Sequence, residues 1–284
     1  MNKMTIIRLL FVLLSTTCIG CASECAEGAN TQPKNPVDEV LEQLDKKTSE
    51  IKSYECRIEY KYIQKLPESE ALRKGVLYYL KSGRKSAMRI NFNTLKQEDE
   101  PEQKYMEQYI VIDGERISDS RHKFEGLWLV HLDYEMSEAK YYQVAEPNDN
   151  DTSEDVFDLA GRNLPILGFG KIDKFKEQFD IELVEQKNNE AADFTQLHLK
   201  VKPNSVYKDD YISIDFWIDK KLGLPVKIYA VTTEPEPPYG DVYEIKLLRP
   251  EVNKTIDEKV FDFKLPAGFG EPDIVPLKKD NQQG

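Results

Sequence analysis

Three histidines, four cysteines and one dense acidic run are the chemistry-bearing groups that stand out in this chain of 284 residues. His122, His131 and His198 fall on separate segments, and none has a second ligand at metal-binding spacing. His131 and Asp133 flank Leu132 and share one face of a strand, but no third ligand is evident, so a solvated strand histidine is the stronger reading. The run Asp149-Asn150-Asp151-Thr152-Ser153-Glu154-Asp155 opens like a calcium loop. Such a loop needs Gly at its sixth position and Glu at its twelfth; this chain has Glu154 and Ala160 there, which fits an acidic surface loop better. Gly168-Phe169-Gly170-Lys171 lacks the upstream glycines of a phosphate-binding loop, and no Gly-x-Ser-x-Gly occurs. Standard catalytic constellations are a minority reading. The sequence implies no metal and no cofactor, and points to a binding protein rather than an enzyme.

Charge narrows the partners. The formal net charge is −12 and the pI about 5.0, so the surface repels phosphate backbones and anionic headgroups. Nucleic acid is excluded as an unassisted partner. With 40% hydrophobic residues and 10% aromatics, a sizeable core is available.

Residues 1–22 read as a signal peptide: Lys3 and Arg8 precede the apolar run Leu9–Leu14, which is far shorter than the roughly 20 residues a membrane span needs. Export follows, to the periplasm or the exterior. Cys18-Ile19-Gly20-Cys21 is similar to a bacterial lipobox, with Cys21 as the lipidation candidate, although Cys18 stands where that pattern prefers Leu. Gly20-Cys21-Ala22 also reads as an ordinary signal-peptidase site, and a soluble product is the favoured reading over a membrane-anchored lipoprotein. In an oxidising compartment the remaining Cys25 and Cys56 are expected to pair; the alternative is a buried Cys56 thiol and a separate Cys25 thiol. Residues 23–34 read as a flexible lead-in.

Behind these residues lies a pattern of one helix and many strands. Asn35 and Pro36 start a helix whose apolar positions Val37, Val40, Leu41 and Leu44 share a face. From Tyr54 the period changes to two: Tyr54, Cys56, Ile58, Tyr60 and Tyr62 alternate with charged residues. Ten further strand-like runs follow, from Leu72–Lys81 to Asp241–Leu248, joined by turns such as Ser82-Gly83, Asp113-Gly114 and Leu222-Gly223. Residues 148–155 interrupt them as an acidic loop. Val156–Phe179 reads as irregular and helical, with Ile172, Phe175 and Phe179 on one face, and Pro235, Pro237 and Pro238 mark an exposed loop. The economical architecture is α+β, a single antiparallel sheet with helices over one face.

The order of three segments carries a resemblance. Lys74-Gly75-Val76-Leu77-Tyr78-Tyr79-Leu80-Lys81-Ser82-Gly83-Arg84, then Tyr109–Glu115, then Ile256–Phe269 with Phe261-Asp262-Phe263-Lys264-Leu265-Pro266-Ala267-Gly268, resembles the LolA-type outer-membrane lipoprotein carriers and lipoprotein-sorting proteins. The likeness runs from about Val37 to about Phe269. It implies a curved, half-open antiparallel barrel over residues 35–270, with helices covering its concave face, and a polar tail over 271–284. It also implies acyl chains or lipoproteins as ligands, sorting partners at the inner and outer membranes, and no catalytic residues. Met88, Ile90, Phe92, Ile214 and Phe216 are the candidates for an apolar cavity; the alternative for each is ordinary core. Lys81 and Arg84 lie nearest the arginine that governs ligand release in the carriers, with Gly83 where those proteins have Pro. The chain is longer than the carriers through 93–104 and 148–170. Two other readings stand beside this one: an envelope-stress sensor of the RseB type, and a secreted structural module with a closed core.

Overall fold

The computed structural model describes residues 35–66, 68–83, 85–119, 121–146, 172–185, 193–234 and 240–277. The signal peptide, the lead-in, Cys21, Cys25, Arg84, the acidic loop, residues 168–171 and the proline-rich loop lie outside the described residues.

Helix α1 spans Pro36–Ser49 and begins as its sequence dictates. The Asn35 side chain accepts from the Val37 amide at 3.1 Å, Pro36 opens the first turn, and Asp38 and Glu39 sit at the positive end of the helix dipole. Leu41 and Leu44 are buried. The chain then enters β1 (Ser53–Lys65), β2 (Glu68–Ser82), β3 (Lys85–Gln97), β4 (Gln103–Asp113), β5 (Leu127–Asp133) and β6 (Glu138–Ala145). A short helix, α2 (Ile172–Gln178), precedes β7 (Phe179–Val184), β8 (Phe194–Val201), β9 (Tyr211–Asp219), β10 (Leu224–Thr232), β11 (Val242–Val252) and β12 (Asp273–Val275).

All twelve strands form one sheet, in the order β12-β6-β5-β4-β3-β2-β1-β11-β10-β9-β8-β7. Sequential hairpins supply most of this order. The long-range steps among the described residues are β12 against β6 and β1 against β11, where Tyr60 faces Ile245 and Tyr62 faces Tyr243. Among the described residues β12 and β7 end the order and do not pair with each other, so the sheet is curved but unclosed. This is the half-open form that the motif order implied. Gly83 and Gly223 adopt φ of 64° and 69° at the β2–β3 and β9–β10 turns, a conformation that glycine reaches without strain.

One detail differs from the sequence reading. β3 continues to Gln97, so 93–97 is strand rather than an inserted loop; the register shifts between Phe92 and Thr94, a bulge that lets pairing resume after the apolar run ends. Asp273–Val275 also pairs in parallel with Lys140–Tyr142, which adds a strand at the sheet edge beyond residue 270.

Alternation divides the buried residues between two faces. The concave face, under α1 and α2, gathers Tyr54, Cys56, Ile58, Leu77, Met88, Ile90, Ile214, Phe216 and Ile245 with Leu41, Leu44 and Phe175. On the opposite side of β3–β6, Ile110, Ile112, Trp128, Val130, Leu132 and Tyr141 pack under Phe261 and Phe263 of the C-terminal segment. Phe261 closes the short 3-10 turn Glu258–Phe261 in that cover.

Candidate binding face

Met88, Ile90 and Ile214 are each 0% exposed, and Phe92 and Phe216 are buried beside them. They occupy the concave face, as the alternation on β3 and β9 requires, and they join one continuous apolar cluster with α1 and α2. Phe175 of α2 meets Phe216 edge-on, with ring centroids 6.3 Å apart. The structure therefore brings the five candidates together, as core in the state described.

Toward the other end of the same face the lining changes from aliphatic to tyrosine and charge. Arg73 of β2 stands opposite Tyr60 of β1 and Leu95 of β3. Its Nε lies 3.0 Å from Glu107 Oε2, and its guanidinium carbon lies 5.8 Å from the Tyr105 ring centroid. Glu107 is only 5% exposed. The hydroxyl of Tyr105 donates to its Oε2 at 2.9 Å and that of Tyr109 to its Oε1 at 2.8 Å. His131 Nε2 lies 2.9 Å from the same Oε1. The His131 ring stacks on Tyr109, centroids 4.4 Å apart.

Burial alone would raise the Glu107 carboxyl. The hydrogen bond from His131, the charge of Arg73 and the hydroxyls of Tyr109 and Tyr105 outweigh it, and the group is held below the usual carboxylate range. Burial pushes the Tyr105 hydroxyl up to about 12 and raises Tyr109 further, so both remain neutral donors. The Glu107 carboxylate is thereby held as a charged acceptor among three side-chain partners besides Arg73.

The sequence reading missed this cluster. His131 was expected to be solvated with Asp133 beside it; instead it is half-buried against Glu107. Tyr105, Glu107 and Tyr109 share a face of β4 by alternation, which is legible, but their meeting with Arg73 and His131 depends on register. His122 and His198 each face one carboxylate, Asp119 at 3.2 Å and Asp215 at 3.0 Å. Among the described residues no group of three or more metal-ligating side chains is assembled.

Two residues from Arg73 along β2, the face opens into a cleft of about 330 Å³ lined by Tyr62, Gln64, Ser69, Ala71 and Gln97, with Glu70, Glu98 and Glu100 at its edge. Tyr62 forms its floor, stacked on Tyr243 with centroids 4.9 Å apart. Lys81 is exposed at the other end of β2, beside the turn to β3, and does not join this cluster. Cys56 is a free thiol, 2% exposed within the concave core.

No family model matches the chain, and no curated protein sequence matches it. Among solved structures it is similar to a DUF1329 family protein from Desulfovibrio piger, with 11% identity over 80% of this chain and 98% of that one, at a TM-score of 0.43. It is similar to MucB, with 10% identity over 82% of this chain but 62% of that one, at 0.42. A lipoprotein-sorting protein domain from Vibrio parahaemolyticus matches at 12% identity over 80% and 97%, with a TM-score of 0.38. At this distance the half-open form rests on the chain's own strand order. No helix among the described residues is long and apolar enough to cross a membrane.

Proposed function

We propose that the protein is an exported binding protein that takes up acyl chains, free or carried by lipoproteins, by exchanging them for its helical cover. The observation that supports this reading is the apolar cover that the two helices lay on the concave face. Among the described residues Leu41, Leu44 and Phe175 are their side chains buried in its cluster, with Val37 and Val40 in partial contact. Burying such a side chain contributes about 1.5–3 kcal/mol, so undocking the cover costs roughly 5–10 kcal/mol. An acyl chain of about fourteen methylenes, at about 0.8 kcal/mol each, recovers about 11 kcal/mol on the same face. The two terms are close enough for exchange, once the ordering of the ligand is subtracted. The export reading of residues 1–22 puts such ligands within reach, in the periplasm or outside the cell.

One observation favours the second reading, a closed structural module: Met88, Ile90 and Ile214 are fully covered without a ligand. Titration with an environment-sensitive fatty-acid probe, followed by hydrogen exchange, separates the two. Carriage gives saturable binding, displacement by oleate, and loss of amide protection in α1 but not in β1. Absence of saturable binding, with α1 amides protected as fully as those of β1, overturns the carrier reading in favour of the module.

A further inference from the structure

We infer that Arg73 and the cleft beside it form a head-group site for a zwitterionic amphiphile, the phosphate meeting Arg73 and the ammonium meeting the acidic rim. This rests on the reading of the concave face as a lipid-binding face and names the class of lipid.

Arg73 carries positive charge on this stretch of the concave face. Its Nε lies 3.0 Å from Glu107 Oε2 as an ion pair without hydrogen-bond geometry, and 29% of the arginine side chain stays exposed. Among the described residues Glu107 is the one carboxylate paired with it. That carboxylate is already engaged by Tyr105, Tyr109 and His131, so it cannot swing to cover the rest of the guanidinium. A guanidinium presents five donors in a planar fork, and the free edge suits two oxygens of a phosphate or carboxylate. Tyr105 and Glu107 hold the guanidinium near its place before any ligand arrives, which lowers the ordering cost of binding.

The cleft supplies the second half. Ala71 and Gln97 line it, and the residues two positions on in the same strands, Arg73 and Leu95, form the next cross-strand pair. Its volume of about 330 Å³ matches the small end of ligand sites. Its edge is acidic: Glu98 and Glu100 stand there with Glu70, which pairs with Lys61. A simple anion approaching Arg73 meets this rim and the overall charge of −12. A simple cation meets Arg73. A head that carries both signs satisfies both, and phosphoethanolamine has that form, with amide and hydroxyl groups of Gln64, Ser69 and Gln97 among the residues that line the cleft.

The test compares three lysolipids of one chain length on the full mature chain by calorimetry: the phosphoethanolamine form, the anionic phosphoglycerol form and the neutral monoacylglycerol. Free phosphoethanolamine is the fourth probe. The expected result is a preference of about tenfold for the zwitterion over both others. Arg73→Gln alone leaves Glu107 buried without its cation, so the double variant Arg73→Gln/Glu107→Gln is used, with its melting point as the folding check. It should bind all three lysolipids as weakly as the neutral one. The surface variant Glu98→Gln/Glu100→Gln, which does not touch the core, should lose the preference over the phosphoglycerol lipid only, and it decides the matter if the double variant does not fold. Equal binding of the three lysolipids by wild type overturns the head-group site and leaves the lipid reading standing. Binding of free phosphoethanolamine but no lysolipid keeps the site and overturns the lipid reading. Binding of none overturns both.

Discussion

On its convex side the sheet is closed by a segment that hydrogen-bonds to it, whereas on its concave side it is closed by helices that mostly rest on it. The convex cover pairs its backbone with the connection between β4 and β5 and accepts a side chain from β3: Ser118 N donates to Phe263 O at 2.9 Å, Phe263 N donates to Arg116 O at 3.3 Å, and Arg89 Nη1 donates to Val260 O at 2.8 Å. Arg116 adds an ion pair to Glu258, and β12 adds a ladder to β6. The concave cover has polar ties mainly at its ends. Asn253 Nδ2 donates to Glu50 O at 3.1 Å where α1 turns into β1, and Lys176 meets Asp38 at 2.9 Å between the helices. At the end of α2, Lys202 Nζ donates to Lys176 O at 2.6 Å and Val206 N to Gln178 Oε1 at 2.8 Å. The side chains that the helices bury in the concave cluster, Leu41, Leu44 and Phe175, are apolar and without direction. A backbone-paired cover leaves only when the sheet does; a side-chain cover can open locally.

The sharpest way to break this comparison is at Phe261, which is 0% exposed under the convex cover. Phe261→Ala should lower stability by about 3–5 kcal/mol, the usual range for a buried phenylalanine, and shift the urea midpoint as one cooperative step. A loss below about 1 kcal/mol, or a separate early transition for the C-terminal segment, would show that this cover is as loose as the helices.

A smaller effect is expected at Leu44 of α1. Leu44→Ala should cost about 2 kcal/mol, the low end for a buried leucine, and should act mainly by opening the concave face. Cys56 reports that opening. Its thiol belongs to the same cluster as Leu41 and Leu44, and burial pushes it up to about 12, so it reacts only when exposed. Modification by a thiol reagent at pH 8 should be faster in Leu44→Ala than in wild type, and insensitive to Phe261→Ala beyond the change in global stability. Equal acceleration by both variants would mean that the faces open together. Denatured, unreduced wild type with no reactive thiol at all would instead establish a Cys25–Cys56 bridge.

How much of this was legible in the sequence depends on the range of the interaction. The alternation from Tyr54 to Tyr62 and the Asn35-Pro36 start are local signals, and β1 and α1 sit where those signals put them. The hairpins likewise follow from turns such as Ser82-Gly83. β12 was not legible, because three residues carry no period and their partner β6 lies far away in the chain. The concave polar cluster was half legible. Tyr105, Glu107 and Tyr109 announce a shared face, but Arg73 and His131 reach them only through the registers of β2–β3–β4 and β4–β5, which alternation alone leaves free to slip. The apolar candidates show the same limit. The pattern places Met88 and Ile214 on one face, while the helices that cover them are set by tertiary packing.

The least disruptive probe of the comparison is pH, because each face half-buries an arginine with a different kind of partner. On the concave face Arg73 is matched by the Glu107 carboxylate. On the convex face Arg89 rests on neutral oxygens of Asn91, Gln108 and Val260. Glu107 is depressed in the folded state, since its hydrogen bonds and Arg73 outweigh burial. Its contribution to stability is therefore complete above its unfolded value of about 4.5 and fades as pH falls through the lower folded value. Arg89 stays charged throughout, its depression by burial notwithstanding. Between pH 5 and pH 3 wild type should lose more stability than Glu107→Gln, so their melting curves converge on acidification. Arg89→Met should run parallel to wild type over the same range, offset by a constant amount. Parallel curves for Glu107→Gln would mean that the concave carboxylate is not held by its partners, and the contrast between the two half-buried arginines would be lost.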